Sequence, residues 1–277
     1  MRAKYWILAV ALAVAALPAL AAEATFERNF NINGQLDLSV SNGSGNVHLV
    51  RSSGNQIHIY GRVRSGWGGS EDRVRQIAEH PPVEQTGNIV RIGAHHGSYN
   101  NVSIDYEIQA PANARLELSC GSGNINDEGV GVNARLETGS GNIVAKGVQG
   151  GFSVEAGSGN IYVEQFGEGQ VRAEAGSGTL ELHNIRGGMK AETGSGTIRI
   201  SGTPTAAWRI EAGSGTVEVA LGNNPATLDL EAGSGSIRVN RAFSQQTSSE
   251  RHHVAGQLNG GGPLVHIETG SGSIRIN

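Results

Sequence analysis

The sequence predicts an all-β fold: a parallel β-helix or β-solenoid of roughly 18–20-residue coils, with an irregular N-terminal cap that carries one short helix. Three observations predict it. Gly-Ser-Gly occurs nine times, beginning at Gly43, Gly121, Gly139, Gly157, Gly176, Gly194, Gly213, Gly233 and Gly270, each time followed by Asn, Thr or Ser and then an apolar residue. From Gly121 to Gly233 the intervals are 18, 18, 19, 18, 19 and 20 residues, too short for helical-pair repeats. Apolar and polar residues alternate around every motif, the period of a strand and not of a helix.

Residues 1–21 read as a secretory signal peptide: Arg2 and Lys4 form a basic start, Trp6 to Leu17 an apolar core, and Ala19-Leu20-Ala21 a small-residue cleavage site. The apolar run is short for a membrane span and Pro18 interrupts it, so a soluble exported protein with no membrane span after cleavage is expected. Without Arg2 and Lys4, 19 basic side chains face 25 acidic ones, a net charge of −6. That balance lacks the clustered Lys and Arg that nucleic acid or anionic lipid would require.

Residues 22–111 read as the β-rich cap. A leader strand over 22–33 precedes Leu36, Leu38 and Val40, then Val47 and Leu49, then Ile57 and Ile59, as three strands joined by tight turns. Ser70 is placed to cap a short helix near 70–79, with Val74, Ile77 and Ala78 on one face and Pro81-Pro82 ending it. Strands at Asn88 to Ile92 and Val102 to Ile108 complete the cap.

Residues 112–277 read as the regular solenoid. Three positions before the motif stand Leu118, Leu136, Val154, Ala173, Ala191, Ile210, Leu230 and Ile267. Four after its first Gly stand Ile125, Ile143, Ile161, Leu180, Ile198, Val217, Ile237 and Ile274. Inward positions on both arms give two strands per coil, with the glycines bending the chain between them. Val130, Val148, Phe166 and Ile185 add a third apolar position, which Gly202-Thr203-Pro204 and Gly222-Asn223-Asn224-Pro225 replace with turn chemistry in later coils. The 37-residue interval before Gly270 contains Arg241 to Gly262, and a loop insertion over 241–262 is favoured over a degenerate coil.

No catalytic, cofactor-binding or metal-ligating residue is assigned, and no cofactor is expected. A phosphate cradle needs a helix after its glycines, and here a strand follows every time. The motif position occupied by Asn46, Asn124, Asn142, Asn160, Thr179, Thr197, Thr216, Ser236 and Ser273 reads as a hydrogen-bonded ladder of stacked side chains. An acidic column runs Glu137, Glu155, Glu174, Glu192, Glu211, Glu231 and Glu268, with Arg135, Arg172, Lys190 and Arg209 two residues earlier on the same face. Charge compensation is expected there in preference to a metal ladder. On the other arm Glu181, Arg199, Glu218 and Arg238 alternate in sign. His95-His96 and His252-His253 lie in expected loops, where adjacent side chains point apart and do not chelate as a pair. His48 and His58 read as exposed strand residues, and Cys120, the only cysteine, as a small buried filler.

Ile104-Asp105-Tyr106-Glu107-Ile108 through Pro111, Arg115-Leu116-Glu117-Leu118 and the Gly-Ser-Gly-Asn coils carry a resemblance. Over residues 30–277 the chain resembles the bacterial putative-adhesin β-strand-repeat family of exported proteins. The resemblance implies the fold and hands over no functional residue. The expected function is a non-catalytic exported β-solenoid, periplasmic or at the cell surface, that meets an envelope or surface partner, protein or glycan. The rival readings are a polysaccharide-binding or polysaccharide-degrading β-helix and a self-assembling scaffold. The scaffold reading rests on Ile274 to Asn277, which carry no evident cap and are expected to leave an edge for end-to-end association.

Overall fold

The computed structural model describes residues 22–66, 70–93 and 101–277. The signal segment and His95-His96 lie outside them. The cap contributes β1 (Glu23–Asn31), β2 (Asp37–Ser44), β3 (Val47–Arg51), β4 (Gln56–Ser65), α1 (Glu71–Glu79), β5 (Val83–Thr86), β6 (Ile89–Ile92) and β7 (Val102–Ala110). The repeats contribute β8 (Arg115–Ser122), β9 (Ile125–Glu128), β10 (Val132–Ser140), β11 (Ile143–Ser158), β12 (Ile161–Phe166), the long bent β13 (Val171–Ala220) and β14 (Ala226–Val239). They are followed by β15 (Gln245–Ser249), β16 (His253–Leu258) and β17 (Leu264–Ile276). All seventeen strands belong to one sheet, so the chain is all-β and solenoid-like, with α1 as its one helix among the described residues.

Parallel pairing stacks like residues on like. Val40, Leu118, Leu136, Val154 and Ala173 stand side by side on successive strands. Val47, Ile125, Ile143, Ile161 and Leu180 do the same after the motif. All of these are buried, so the alternation read from the sequence becomes a continuous apolar interior.

The glycines are demanded by close approach. At Gly141, φ is +147°, and a Cβ there would lie 2.0 Å from the carbonyl oxygen of Gly123 in the coil beneath. A Cβ on Gly139, the first glycine of the same motif, would lie 2.6 Å from the oxygen of Gly121. No side chain fits where the backbones of two coils touch.

The residue after each motif divides the rod into two kinds of corner. Where it is Asn, the strand breaks: β8 ends before Asn124, β10 before Asn142, and Asn160 separates β11 from β12. Asn46 Oδ1 accepts the backbone N–H of Asn124 at 3.0 Å, Asn124 Oδ1 that of Asn142 at 2.9 Å, and Asn142 Oδ1 that of Asn160 at 2.9 Å. Asn160 Oδ1 ends the series on Thr179 N–H at 2.9 Å, and Asp105 Oδ1 begins it on Asn46 N–H at 2.9 Å. Where the residue is Thr or Ser, the strand runs straight through the corner, as β13 does at Thr179, Thr197 and Thr216. The ladder expected from the sequence therefore has a specific job in its Asn block: the amide oxygen satisfies a corner N–H that strand pairing leaves over.

The stacking order departs from the chain order at both ends. At the N-terminal end β2 lies between β6 and β8, and β3 between β7 and β9. The described residues between 52 and 110 are thus an excursion that covers the first coil, with β4 antiparallel to β7, β1 antiparallel to β4, and α1 packed on β1 and β4. Val74 and Ile77 of α1 are buried as the sequence predicts, but Ser70 caps the helix with no side-chain hydrogen bond.

At the C-terminal end β17 is inserted between the last part of β13 and β14, parallel to both. The motif order in space is Gly213, Gly270, Gly233, as the close approaches of Gly270 to the oxygen of Gly213 and of Gly233 to that of Gly270 also record. The expected free edge at Ile274 to Asn277 is therefore wrong: Ile274 pairs with Val217 on one side and Ile237 on the other, and Ile276 is fully buried. Instead of a loop, the 241–262 stretch forms the β15–β16 hairpin, whose β16 runs antiparallel along the outer edge of β14. The outer place is held by residues 226–239, and the chain returns from the hairpin to fill the gap it left.

The third apolar position is corrected at one coil and confirmed in three. Val130, Val148 and Ile185 are fully buried, but Phe166 is 69% exposed. A register shift sets Val148 beside Gln165, so Gln165 turns inward and Phe166 outward. Gly202 to Pro204 continue β13 as strand, whereas Gly222 and Asn223 form the expected turn. No helix among the described residues is long and apolar enough to cross a membrane.

Candidate functional site

Along the regular face, four carboxylates of the column meet a base from the same strand, whereas Glu155 has Ser153 in that place. Arg135 Nε donates to Glu137 at 2.6 Å, Lys190 lies 2.5 Å from Glu192, and Arg172–Glu174 and Arg209–Glu211 make the same pair. Residues two apart on a strand share a face, so the pairing follows directly from the alternation. On the other arm Arg199 bridges Glu181 at 3.1 Å and Glu218 at 3.4 Å. Glu218 also accepts from Arg275 at 2.7 Å, because the inserted last coil brings Arg275 to the place where the sign alternation predicts Arg238. Arg238 stands beyond it, beside Arg275.

At the N-terminal end Asp105 takes the Arg64 guanidinium on Oδ2 while Oδ1 begins the Asn ladder. His48 is half exposed with Nε2 3.6 Å from Glu128, and His58 Nδ1 lies 2.6 Å from Asn29 Oδ1. Cys120 is 2% exposed, and burial pushes its thiol up to about 12. A thiol that stays protonated is no nucleophile, which agrees with the filler role.

The pattern breaks in the outermost coils. The position four residues before the motif holds Arg209, then His266, then Asp229 in stacking order. Two residues on, the column holds Glu211, Glu268 and Glu231. Asp229 and Glu231 thus form an all-acidic pair on β14 where β10 and the three turns of β13 carry a base and an acid. Antiparallel β16 places His253 directly opposite Glu231. His253 Nε2 lies 2.9 Å from Asp229 Oδ1, and His266 Nδ1 lies 2.9 Å from Asp229 Oδ2. The hydrogen bond from His253, seconded by that from His266, holds the Asp229 carboxyl below its ordinary range. Asp229, Glu231 and His253 each present a donor atom, all within 4.8 Å of one another.

The sequence names no residue of this cluster as a ligand: Asp229 and Glu231 belong to the columns of the Gly233 repeat, and His253 to the interval before Gly270. Of the pair His252-His253, only His253 joins the cluster, as the alternation of an extended chain requires. Its neighbour's backbone oxygen accepts Ala232 N–H at 3.0 Å. The missing signal was the partner. Nothing in the spacing of Asp229, His253 and His266 reveals that a hairpin and an inserted coil bring them together.

Among solved structures the chain is similar to a putative adhesin from Bacteroides fragilis, 12% identical, covering 92% of this chain and 97% of that one with a TM-score of 0.46. It is similar also to a putative adhesin from Parabacteroides distasonis, 10% identical over 92% and 97% of the two chains with a TM-score of 0.39. A putative cell adhesion protein from Clostridium sporogenes is 14% identical over 92% and 98%, with a TM-score of 0.30. No curated protein matches the chain. A family model described as Toastrack DUF4097 matches residues 23–277: the chain belongs to that family.

Proposed function

We propose that the protein is a non-catalytic, adhesin-like component of the cell envelope, exported to the periplasm or cell surface, whose rigid side face binds an extended protein or glycan partner. The observation that carries this reading is the pairing of four carboxylates of the acidic column with basic side chains of their own strands. Arg135–Glu137, Arg172–Glu174, Lys190–Glu192 and Arg209–Glu211 repeat one polar pair along the face, with Ser153 and Glu155 between the first two, on strands spaced about 4.8 Å apart. General acid–base catalysis needs an acid and a base that converge on one reacting group, whereas these pairs are spread along the face. A regular display of paired charges on a stiff sheet suits contact along the length of a partner.

Screening the purified protein against neutral and acidic glycans and against envelope fractions tests the reading. Binding without any cleavage product is the expected result. Release of product that survives purification of the protein would establish the polysaccharide-degrading alternative instead.

Self-association keeps a place as a second reading because of the outer edge of β14. β16 pairs with residues 226–231, Ala232 N–H donates to His252 O, and among the described residues the stretch from Gly233 to Val239 pairs only with β17. Ile237 and Val239 are left half-buried there. A monomer in sedimentation at the highest attainable concentration would remove this reading.

A further inference from the structure

We propose that Asp229, Glu231 and His253 form a binding site for a divalent transition-metal ion of the zinc class, which fastens the C-terminal hairpin to the body of the rod. One imidazole nitrogen and two carboxylates are the donor set of such ions, whereas calcium and magnesium favour oxygen alone. Tetrahedral zinc, with bonds of about 2.0–2.2 Å, spaces its donor atoms about 3.3–3.5 Å apart. His253 Nε2 and Asp229 Oδ1 are 2.9 Å apart, and all three donor atoms fall within 4.8 Å of one another, so small side-chain rotations suffice. With the ion bound, His253 coordinates through Nε2 in place of its hydrogen bond to Asp229, and the neutral ring carries its proton on Nδ1.

The backbone fixes the arrangement. Glu231 and His253 are directly opposed across β14 and β16, and Asp229 lies on the same face two residues before Glu231. His266 is a positioning residue: from β17 its Nδ1 lies against Asp229 Oδ2, which leaves Oδ1 to face the ion. The charge pattern points the same way. Glu268 stands beside Glu231 in register, so three carboxylates meet here, where Asp229 occupies the position held by Arg135, Arg172, Lys190 and Arg209 in other coils. A divalent cation offsets that excess. Three protein ligands leave the fourth position open toward solvent, where water or a donor from a partner completes the shell.

Zinc titration of the metal-free protein by calorimetry, with melting followed in parallel, tests the site. The wild type is expected to take up one equivalent and to melt at a higher temperature with it, while calcium does neither. His253→Ala and Asp229→Asn are expected to lose that equivalent, and His252→Ala, altered at the outward neighbour, to keep it. His266→Asn is expected to keep the stoichiometry with affinity weakened about 10–100-fold, the usual range for a group behind a ligand. Should Asp229→Asn fail to fold, Glu231→Gln, at an exposed position, carries the same expectation. Cobalt in place of zinc reports the coordination directly through its visible spectrum. A wild type that takes up no zinc, or an equivalent that survives both His253→Ala and Glu231→Gln, overturns the proposal; either result leaves the adhesin-like reading of the side face standing.

Discussion

Asp127 is the residue whose chemistry is most at odds with its surroundings. It occupies the interior position held by Leu49 and Ala145 in the flanking coils and is fully buried. Oδ1 accepts Val130 N–H at 3.2 Å and tightens the turn at Gly129, while Oδ2 has no partner. Burial pushes the carboxyl from its ordinary 3.8 up to about 8. The folded protein therefore keeps this proton over a range where the unfolded chain has released it. The stability tied to Asp127 is fully present below about pH 3.8 and is lost as pH rises toward 8, on the order of 1.4 kcal/mol per pH unit. Asp127→Asn retains the acceptor for Val130 and cannot ionise. The variant is expected to melt increasingly above the wild type as pH is raised from 4 to 8. A constant difference across that range, measured by calorimetry at several pH values, would contradict the assignment. Cys120 shows the same desolvation acting on a thiol, with an inert side chain as the outcome.

Among the elements, β12 separates what alternation reveals from what it hides. The interior columns at Leu118, Leu136 and Val154, and at Ile125, Ile143 and Ile161, are legible because the strands keep a period of two on each side of the motif and the motif has a fixed length. Phe166 is not. A one-residue register shift after Lys146 exchanges the inward and outward sides, and a sequence read by column assigns the aromatic residue to the core. Gln165 fills the place instead, and its amide is fully used: Nε2 donates to Gly150 O at 2.7 Å and Oε1 accepts Arg186 N–H at 2.8 Å. Gln165→Ala strands both backbone groups and is expected to cost about 1–3 kcal/mol in denaturant unfolding. Phe166→Ser, at the exposed neighbour, is expected to stay within about 0.5 kcal/mol. The reverse order of the two costs would restore Phe166 to the core. The change from Asn to Thr and Ser corners was legible as blocks of like residues. Its cause was not, because which corner N–H groups lack a strand partner depends on whether the backbone breaks or runs on.

At the scale of the whole molecule, the ends carry what the repeat does not. Both long intervals between motifs are excursions that build a cover. Residues 52–110 close the first coil, and Arg241 to Gly262 close the outermost one. The spacing shows that two stretches leave the array; it does not show where the chain re-enters. Every coil carries the same motif and the same apolar columns, so the coil at Gly270 fits equally well outside the one at Gly233 or inside it. The inside position gives the last residues of the chain a partner on each side, with Asp229 and His266 side by side as a result. Site and insertion stand together: without the inserted coil, Asp229 has no His266 beside it.

A pair of engineered disulfides tests the insertion most directly. Ser214 and Ser271 are register partners on adjacent strands, whereas Ser214 and Ser234 have β17 between them. Neighbouring strands lie about 4.8 Å apart, within the Cα separation a disulfide bridges, and twice that distance lies beyond it. Oxidation is expected to link Ser214→Cys with Ser271→Cys and to leave Ser214→Cys with Ser234→Cys unlinked, as mapped by mass spectrometry of the digested protein. Linkage of 214 to 234 with none between 214 and 271 would mean that the coils stack in chain order, and would contradict the account of the C-terminal end.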